Sequence, residues 1–203
     1  GDTINVASGV YTGAGLSIYD GVIVWVDKQV FLEGGWNSTF TVQDGYSTID
    51  GEGTRAGIGN DASGTTLNRF ILLNGDNGGL SNSGSLTVTN SIIHDNYSVY
   101  GGGGVYNSNI LTLDRVLIFN NKGQTGGGIH SPNGISLTIM NSAIFNNVAG
   151  SGGGIDLGGG VITINNSTIS GNVALDYGGG IRSASSSVTL NNVTISNNYA
   201  YKF

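Results

Sequence analysis

The sequence predicts an all-β chain wound as a right-handed parallel β-helix, a solenoid of about eight coils of roughly 25 residues. Three observations predict it. A glycine-led signal returns at nearly constant spacing: GGL at 78–80, GGGV at 102–105, and GGGI at 126–129, 152–155 and 178–181. Between these signals the apolar residues alternate with period two, and helical periodicity is missing. The runs end on asparagines and glycines, which tolerate positive φ.

The chain reads as one domain over 1–203, irregular over 1–77 and regular over 78–203. In the first part, TINV (3–6), VIVWV (22–26), VFLEGG (30–35), STIDG (47–51) and FILLNG (70–75) read as short strands. The stretch 51–66, rich in Gly, Asn, Asp and Ser, reads as a long loop. In the second part five copies stay in register. Leu80, Val105, Ile129, Ile155 and Ile181 close the glycine signals. Leu86, Leu111, Leu137, Ile162 and Val188 open the LTV, LTL, LTI, ITI and VTL strands. Ile93, Ile118, Ile144, Ile169 and Ile195 belong to a second strand, and Asn96, Asn121, Asn147, Asn172 and Asn198 to the turn after it. A coil of this length holds three short strands and three turns. Stacked roughly 4.8 Å apart, the isoleucines form a dry interior and the Asn96–Asn198 column an amide ladder. A second column, Asn90, Asn141, Asn166 and Asn192, is broken by Arg115.

Composition agrees with this reading. Glycine contributes 37 of 203 residues without a three-residue period, which excludes collagen, and only one residue is proline. Hydrophobic content of 38% with 10% charge is not the signature of disorder. The net charge of −6, with seven scattered basic residues, excludes a phosphate-tracking nucleic-acid binder. No apolar run is long enough for membrane insertion as a helix, and without cysteine there are no disulfides or thiolate metal sites. Low lysine with abundant Asn, Ser, Thr and Gly suits a secreted protein, and a start on Gly1 suits a processed chain.

The paired signals I-x-x-N (IHDN, IFNN, IFNN, ISGN, ISNN) and GGG-[IV] resemble the F-x-x-N and GGA-[ILV] repeats of polymorphic outer-membrane proteins and related secreted bacterial β-helix proteins. Ile stands for Phe, and Gly for Ala. The opening GDTINVASGVYTG and the segment VFLEGGW are also similar to the starts of such chains. The resemblance implies a pectate-lyase-like fold and exposure at the cell surface, adhesins among its members. It implies little about chemistry, because these motifs specify turns and core.

Enzymatic use of such a fold needs clustered carboxylates, with a base or a cation beside them. Asp50 and Glu52, with Arg55 and Arg69, come nearest and read more readily as loop and turn residues. Asp95, Asp114 and Asp156 fall in different columns, as do His94 and His130, so no catalytic, cofactor or metal site is expected. The sequons at Asn37, Asn96, Asn165, Asn166 and Asn192 fall mostly on turn or ladder asparagines. An outward threonine column (Thr87, Thr112, Thr138, Thr163, Thr189) raises ice binding, but its neighbour (Thr89, Asp114, Met140, Asn165, Asn191) is not uniform.

The informative departures lie on the outside. One outward column reads Ile92, Leu117, Ala143, Thr168, Thr194 and the next His94, Phe119, Phe145, Ser170, Ser196. Leu117, Phe119, Met140, Ala143 and Phe145 therefore form an exposed apolar patch, or lie under a loop from the first half. The final 26 residues make one coil with nothing after it, carrying Tyr199, Tyr201 and Phe203. An open edge invites another strand, and head-to-tail stacking of identical chains propagates into a fibre. The expectation is an extracellular structural or adhesive protein that is no enzyme and whose partner is itself. Surface glycans are a second partner class, and a polysaccharide-binding or -cleaving β-helix is the alternative.

Overall fold

The computed structural model describes residues 1–13, 21–133 and 135–202. Every described regular element is a strand, and the strands pair in parallel into four sheets that run the length of a solenoid. In the coil that begins at Val105, the chain passes from Val105–Asn107 (sheet C) to Ile110–Asp114 (sheet A). It continues through Leu117–Phe119 (sheet B) and Lys122–Thr125 (sheet D). The next coil repeats this with Ile129–Ser131, Ser136–Met140, Ala143–Phe145 and Val148–Ser151, each paired with its counterpart. Among the described residues, sheets A and B contain eight strands each, sheet C seven and sheet D five. Eight passages through sheet A close seven full turns, one fewer than the expected coil count. The cross-section has four sides where three were expected. Sheet D escapes sequence reading because its strands are as short as two residues, Tyr97–Ser98 for instance, and show no alternation.

The alternation acts as predicted. In Ser136–Met140 the residues Leu137 and Ile139 point into a dry interior, while Ser136, Thr138 and Met140 face out. One continuous core runs from Val26 and Leu32 through Ile93, Ile118 and Ile144 to Ile169. Burying each such side chain contributes roughly 1.5–3 kcal/mol. The glycine signals occupy the corner between sheets D and C, where neighbouring coils approach too closely for side chains. A Cβ on Gly153 would lie 2.5 Å from the carbonyl oxygen of Gly179.

The Asn96–Asn198 column is a buried ladder. Asn96, Asn121 and Asn147 each donate from Nδ2 to the Oδ1 of the asparagine one coil on, at 3.0 Å, and Asn172 donates to Asn198 at 2.9 Å. The same oxygens also accept the backbone N–H of the preceding rung's asparagine, as in Asn121 N to Asn147 Oδ1 at 2.9 Å. A second buried ladder, not anticipated, runs along sheet C: Asn60 donates to Asn82 and Asn82 to Asn107, both at 2.8 Å.

All five strands expected in the first part are present. The expected loop over 51–66 is not a loop throughout: Ala56–Asn60 and Ser63–Asn68 are strands of sheets C and A. The segment AGIGN looks like a loop because of its glycines, yet it is buried from end to end. Its Gly59 makes room for an aromatic ring, since a Cβ there would lie 2.5 Å from the Trp25 ring.

Candidate functional site

The outer face of sheet B carries the feature that stands furthest from an ordinary wet surface. Pairing fixes two outward columns across the strands Gly9–Thr12, Ser47–Asp50, Phe70–Leu73, Ile92–His94 and their successors. One reads Val10, Thr48, Ile71, Ile92, Leu117, Ala143, Thr168, Thr194. The other reads Thr12, Asp50, Leu73, His94, Phe119, Phe145, Ser170, Ser196. Four consecutive rungs are thus apolar or aromatic in both columns. Three rings stack along the axis, His94 on Phe119 and Phe119 on Phe145, with centroids 4.9 Å apart in each pair. Leu117 beside them is 41% exposed, so no described loop covers the patch.

Of the residues expected in this patch, Leu117, Phe119, Ala143 and Phe145 come together. Met140 stands at the end of a sheet A strand, across the Asn141 turn from Ala143, in line with Asp114 and Asn165. Tyr199 and Tyr201 pack edge to face at 4.8 Å in the last described coil, around the corner on the sheet D side, and form a separate exposed pair. Phe203 lies outside the described residues.

Beside the second column, at the corner between sheets B and D, Asp50, Glu52, Asn74, Asp76, Asp95 and Tyr97 line an open cleft of about 550 Å³. Asp95 joins Asp50 and Glu52 here, a grouping that column spacing does not show, while Asp114 and Asp156 stand on sheets A and C. One residue more lies between Asp50 and the turn than follows Leu73, so Glu52 shares the left-handed turn position of Asn74 and Asp95. Asp50 Oδ1 accepts hydrogen bonds from the Glu52 N–H at 2.9 Å and from Asn74 Nδ2 at 3.0 Å. Arg55 approaches Glu52 at 3.4 Å, and His94 Nδ1 lies 2.6 Å from Asp95. Arg69 sits at the opposite end of the sheet B strand, in the turn from sheet A, and takes no part. Among the described residues, no group of three or more His, Cys, Asp or Glu side chains is placed to hold a metal ion.

A second grouping, not anticipated, joins His130 and Asp156. They are neighbours on the outer side of sheet C, in the sequence Tyr106, His130, Asp156, Arg182. Asp156 is 2% exposed, and its Oδ1 accepts from Arg182 at 2.8 Å. His130 Nδ1 lies 3.0 Å from Oδ2. Burial, the largest single influence, pushes the Asp156 carboxyl up; His130 and Arg182 together outweigh it and hold the pKa below the ordinary aspartate value. The signal was present in the sequence: each of the four residues directly follows a GGG-[IV] quartet. Asp156 and its two partners form an ion cluster, and Ser81 stands one rung before Tyr106 in the same column.

No family model matches the chain, and no curated protein matches it. Among solved structures it is similar to the crystal structure of pectate lyase Pel9A, with a TM-score of 0.53 at 17% identity, over 94% of this chain and 69% of that one. The likeness is one of fold: both are β-helices.

Proposed function

We propose that the chain is an extracellular structural or adhesive β-helix whose outer sheet B face is a contact surface, first of all for further copies of itself. The observation that carries this reading is the four-rung apolar and aromatic patch around Leu117, Phe119, Ala143 and Phe145. The patch is lateral, so the association it supports is side by side. Leu190 and Ile195, exposed in the last described coil, would serve a following coil and a second molecule alike, and favour no end-to-end filament over chain continuation. Two columns four rungs long offer on the order of 300 Å², well short of the ~800 Å² per partner in a stable interface. Single contacts are therefore weak, and assembly relies on many of them or on high local concentration. Sedimentation velocity across a concentration series tests this. The sedimentation coefficient should rise with concentration in the natural chain and stay flat in a Leu117→Ser/Phe119→Ser variant. A natural chain that stays monomeric throughout would end the proposal.

A second reading, polysaccharide binding at the cleft, is favoured by the convergence of Asp50, Glu52, Asp76 and Asp95 beside Tyr97, and by the fold shared with a pectate lyase. An acidic glycan would meet four like charges there, so the cleft suits neutral or basic sugars, bound and not cleaved. Retention on immobilised chitosan, lost in an Asp50→Asn/Asp95→Asn variant, would support it; equal retention of both proteins would remove it.

A further inference from the structure

The outer face of sheet B changes character at a single rung. Both columns switch between the same two coils, from Ala143 to Thr168 and from Phe145 to Ser170, and the next coil repeats the hydroxyls with Thr194 and Ser196. Phe145 therefore ends the ring stack. One of its faces lies on Phe119, and the other looks along the solenoid axis toward Ser170, whose side chain stops at Oγ. A coil spacing of roughly 4.8 Å is also a comfortable stacking distance for flat rings, so a space suited to one more ring is left above Phe145. The hydroxyls of Thr168, Ser170, Thr194 and Ser196 below it make no hydrogen bond to any described residue. Ser142 and Ser167, by contrast, spend theirs on backbone carbonyls. No charged residue occurs within 136–148, 161–174 or 183–198, the stretches that build this part of the face.

An apolar ring face meeting a floor of uncommitted hydroxyls, without charge, is complementary to a ring that has apolar faces and a hydroxyl rim. We infer that this step binds one pyranose unit of a neutral glycan, its C–H face on Phe145 and its rim hydroxyls on Thr168, Ser170 and Ser196. The inference shares a class of partner with the polysaccharide reading, on which it rests in that respect, but uses a different site. Stacking on one aromatic face contributes about 1 kcal/mol, so binding of a single unit is weak.

The test is an NMR titration of the full chain with cellohexaose, xylohexaose and laminarihexaose, and with hexagalacturonate as the acidic control. At least one neutral hexaose should shift the Phe145 ring and Thr168 methyl signals, and Phe145→Ala should weaken binding about fivefold. Ser170→Phe is the decisive variant, because it continues the ring stack into the step. It should fold with an unchanged or higher Tm and lose the shifts altogether. Binding that survives Ser170→Phe would overturn the inference, as would a lack of shifts with every neutral hexaose at about 10 mM. Shifts confined to Asp95 and Tyr97 would also overturn it, while pointing to the cleft.

Discussion

Two rows of asparagine run along this solenoid, and they differ in how much variation they accept. The buried row, Asn96 to Asn198, is unbroken through five coils, each amide bonding to the next and to backbone groups. The exposed row at the turn from sheet A to sheet B reads Arg69, Asn90, Arg115, Asn141, Asn166, Asn192, all at positive φ. Arg115 interrupts it without leaving a gap. Its Nε donates to Asn90 Oδ1 at 2.7 Å, its guanidinium pairs with Asp114 at 2.8 Å, and Asn141 turns to Asp114 at 2.7 Å. Water can replace any partner in the exposed row and none in the buried one, so only the exposed row tolerates exchange. The same contrast separates the inside of the sheet A and sheet B strands, apolar throughout the five regular coils, from the outside, where threonines line sheet A and rings line sheet B. Outward departures are free of the core's demands, which is why they carry the functional argument.

Replacing Asn147 with Ala should break this contrast most severely. The change strips Asn121 of an acceptor for both its N–H and its Nδ2, and leaves the Ile118 carbonyl without its donor. At about 1–3 kcal/mol for each buried group left unpaired, a loss on the order of 3–6 kcal/mol is expected. Asn166→Gly in the exposed row, which keeps the left-handed turn without strain, should stay within about 0.5 kcal/mol. Denaturant melts of both variants measure the difference; equal losses would mean that the two rows are equivalent after all.

The ion cluster on sheet C should respond next most strongly, and to pH. Because its partners hold the Asp156 pKa below the ordinary aspartate value, the folded state binds this proton less readily than the unfolded chain. Its contribution is complete above the ordinary aspartate pKa and disappears as pH falls through the lower folded value. Asp156→Asn should cost about 2–4 kcal/mol at neutral pH, since it leaves the Arg182 guanidinium without its counter-charge. It should also flatten the acid limb of stability against pH. Thermal melts between pH 2 and 7 would show it, and an unchanged acid limb would assign the titration elsewhere.

Smaller effects on stability, with a larger one on association, are expected from the sheet B patch. Leu117→Ser/Phe119→Ser removes two half-wet apolar side chains and interrupts the ring stack. It should cost about 1–2 kcal/mol and suppress self-association. Thr112→Ser/Thr138→Ser on the threonine face of sheet A should change neither by a measurable amount.

The ladders and cores of the regular coils were legible in the sequence because stacking turns a 25-residue spacing into a contact: Ile93 to Ile118 and Asn96 to Asn121 are neighbours by spacing alone. The four-sided section was not, since Tyr97–Ser98 and its partners are too short to alternate. The buried ladder Asn60, Asn82, Asn107 was hidden by Ser131 and Leu157, which end its column after three coils. The cleft was hidden by Gly51, which offsets Asp50 from Glu52 and brings Asp95 into their company. Insertions of one residue move a side chain to a new corner, and spacing counted across them assigns the wrong neighbours.

Arg115→Asn should have the smallest effect, and it tests the logic of the exposed row most finely. The substitution restores asparagine at a left-handed position that a long basic side chain now occupies at φ 55°. It would lose the Arg115–Asp114 pair, an exposed contact contributing at most about 1 kcal/mol. In return it gains a residue that adopts this conformation more readily and can accept from Asn141. The two changes oppose each other at a wet surface, so the net shift should stay within about 0.5 kcal/mol. What should change is salt dependence: the natural chain loses the Arg115–Asp114 contribution as screening rises, and the variant does not. Melting curves of the two proteins in low and high salt should therefore converge as salt increases, and a gap that widens instead would show that Arg115 is held by packing more than by charge.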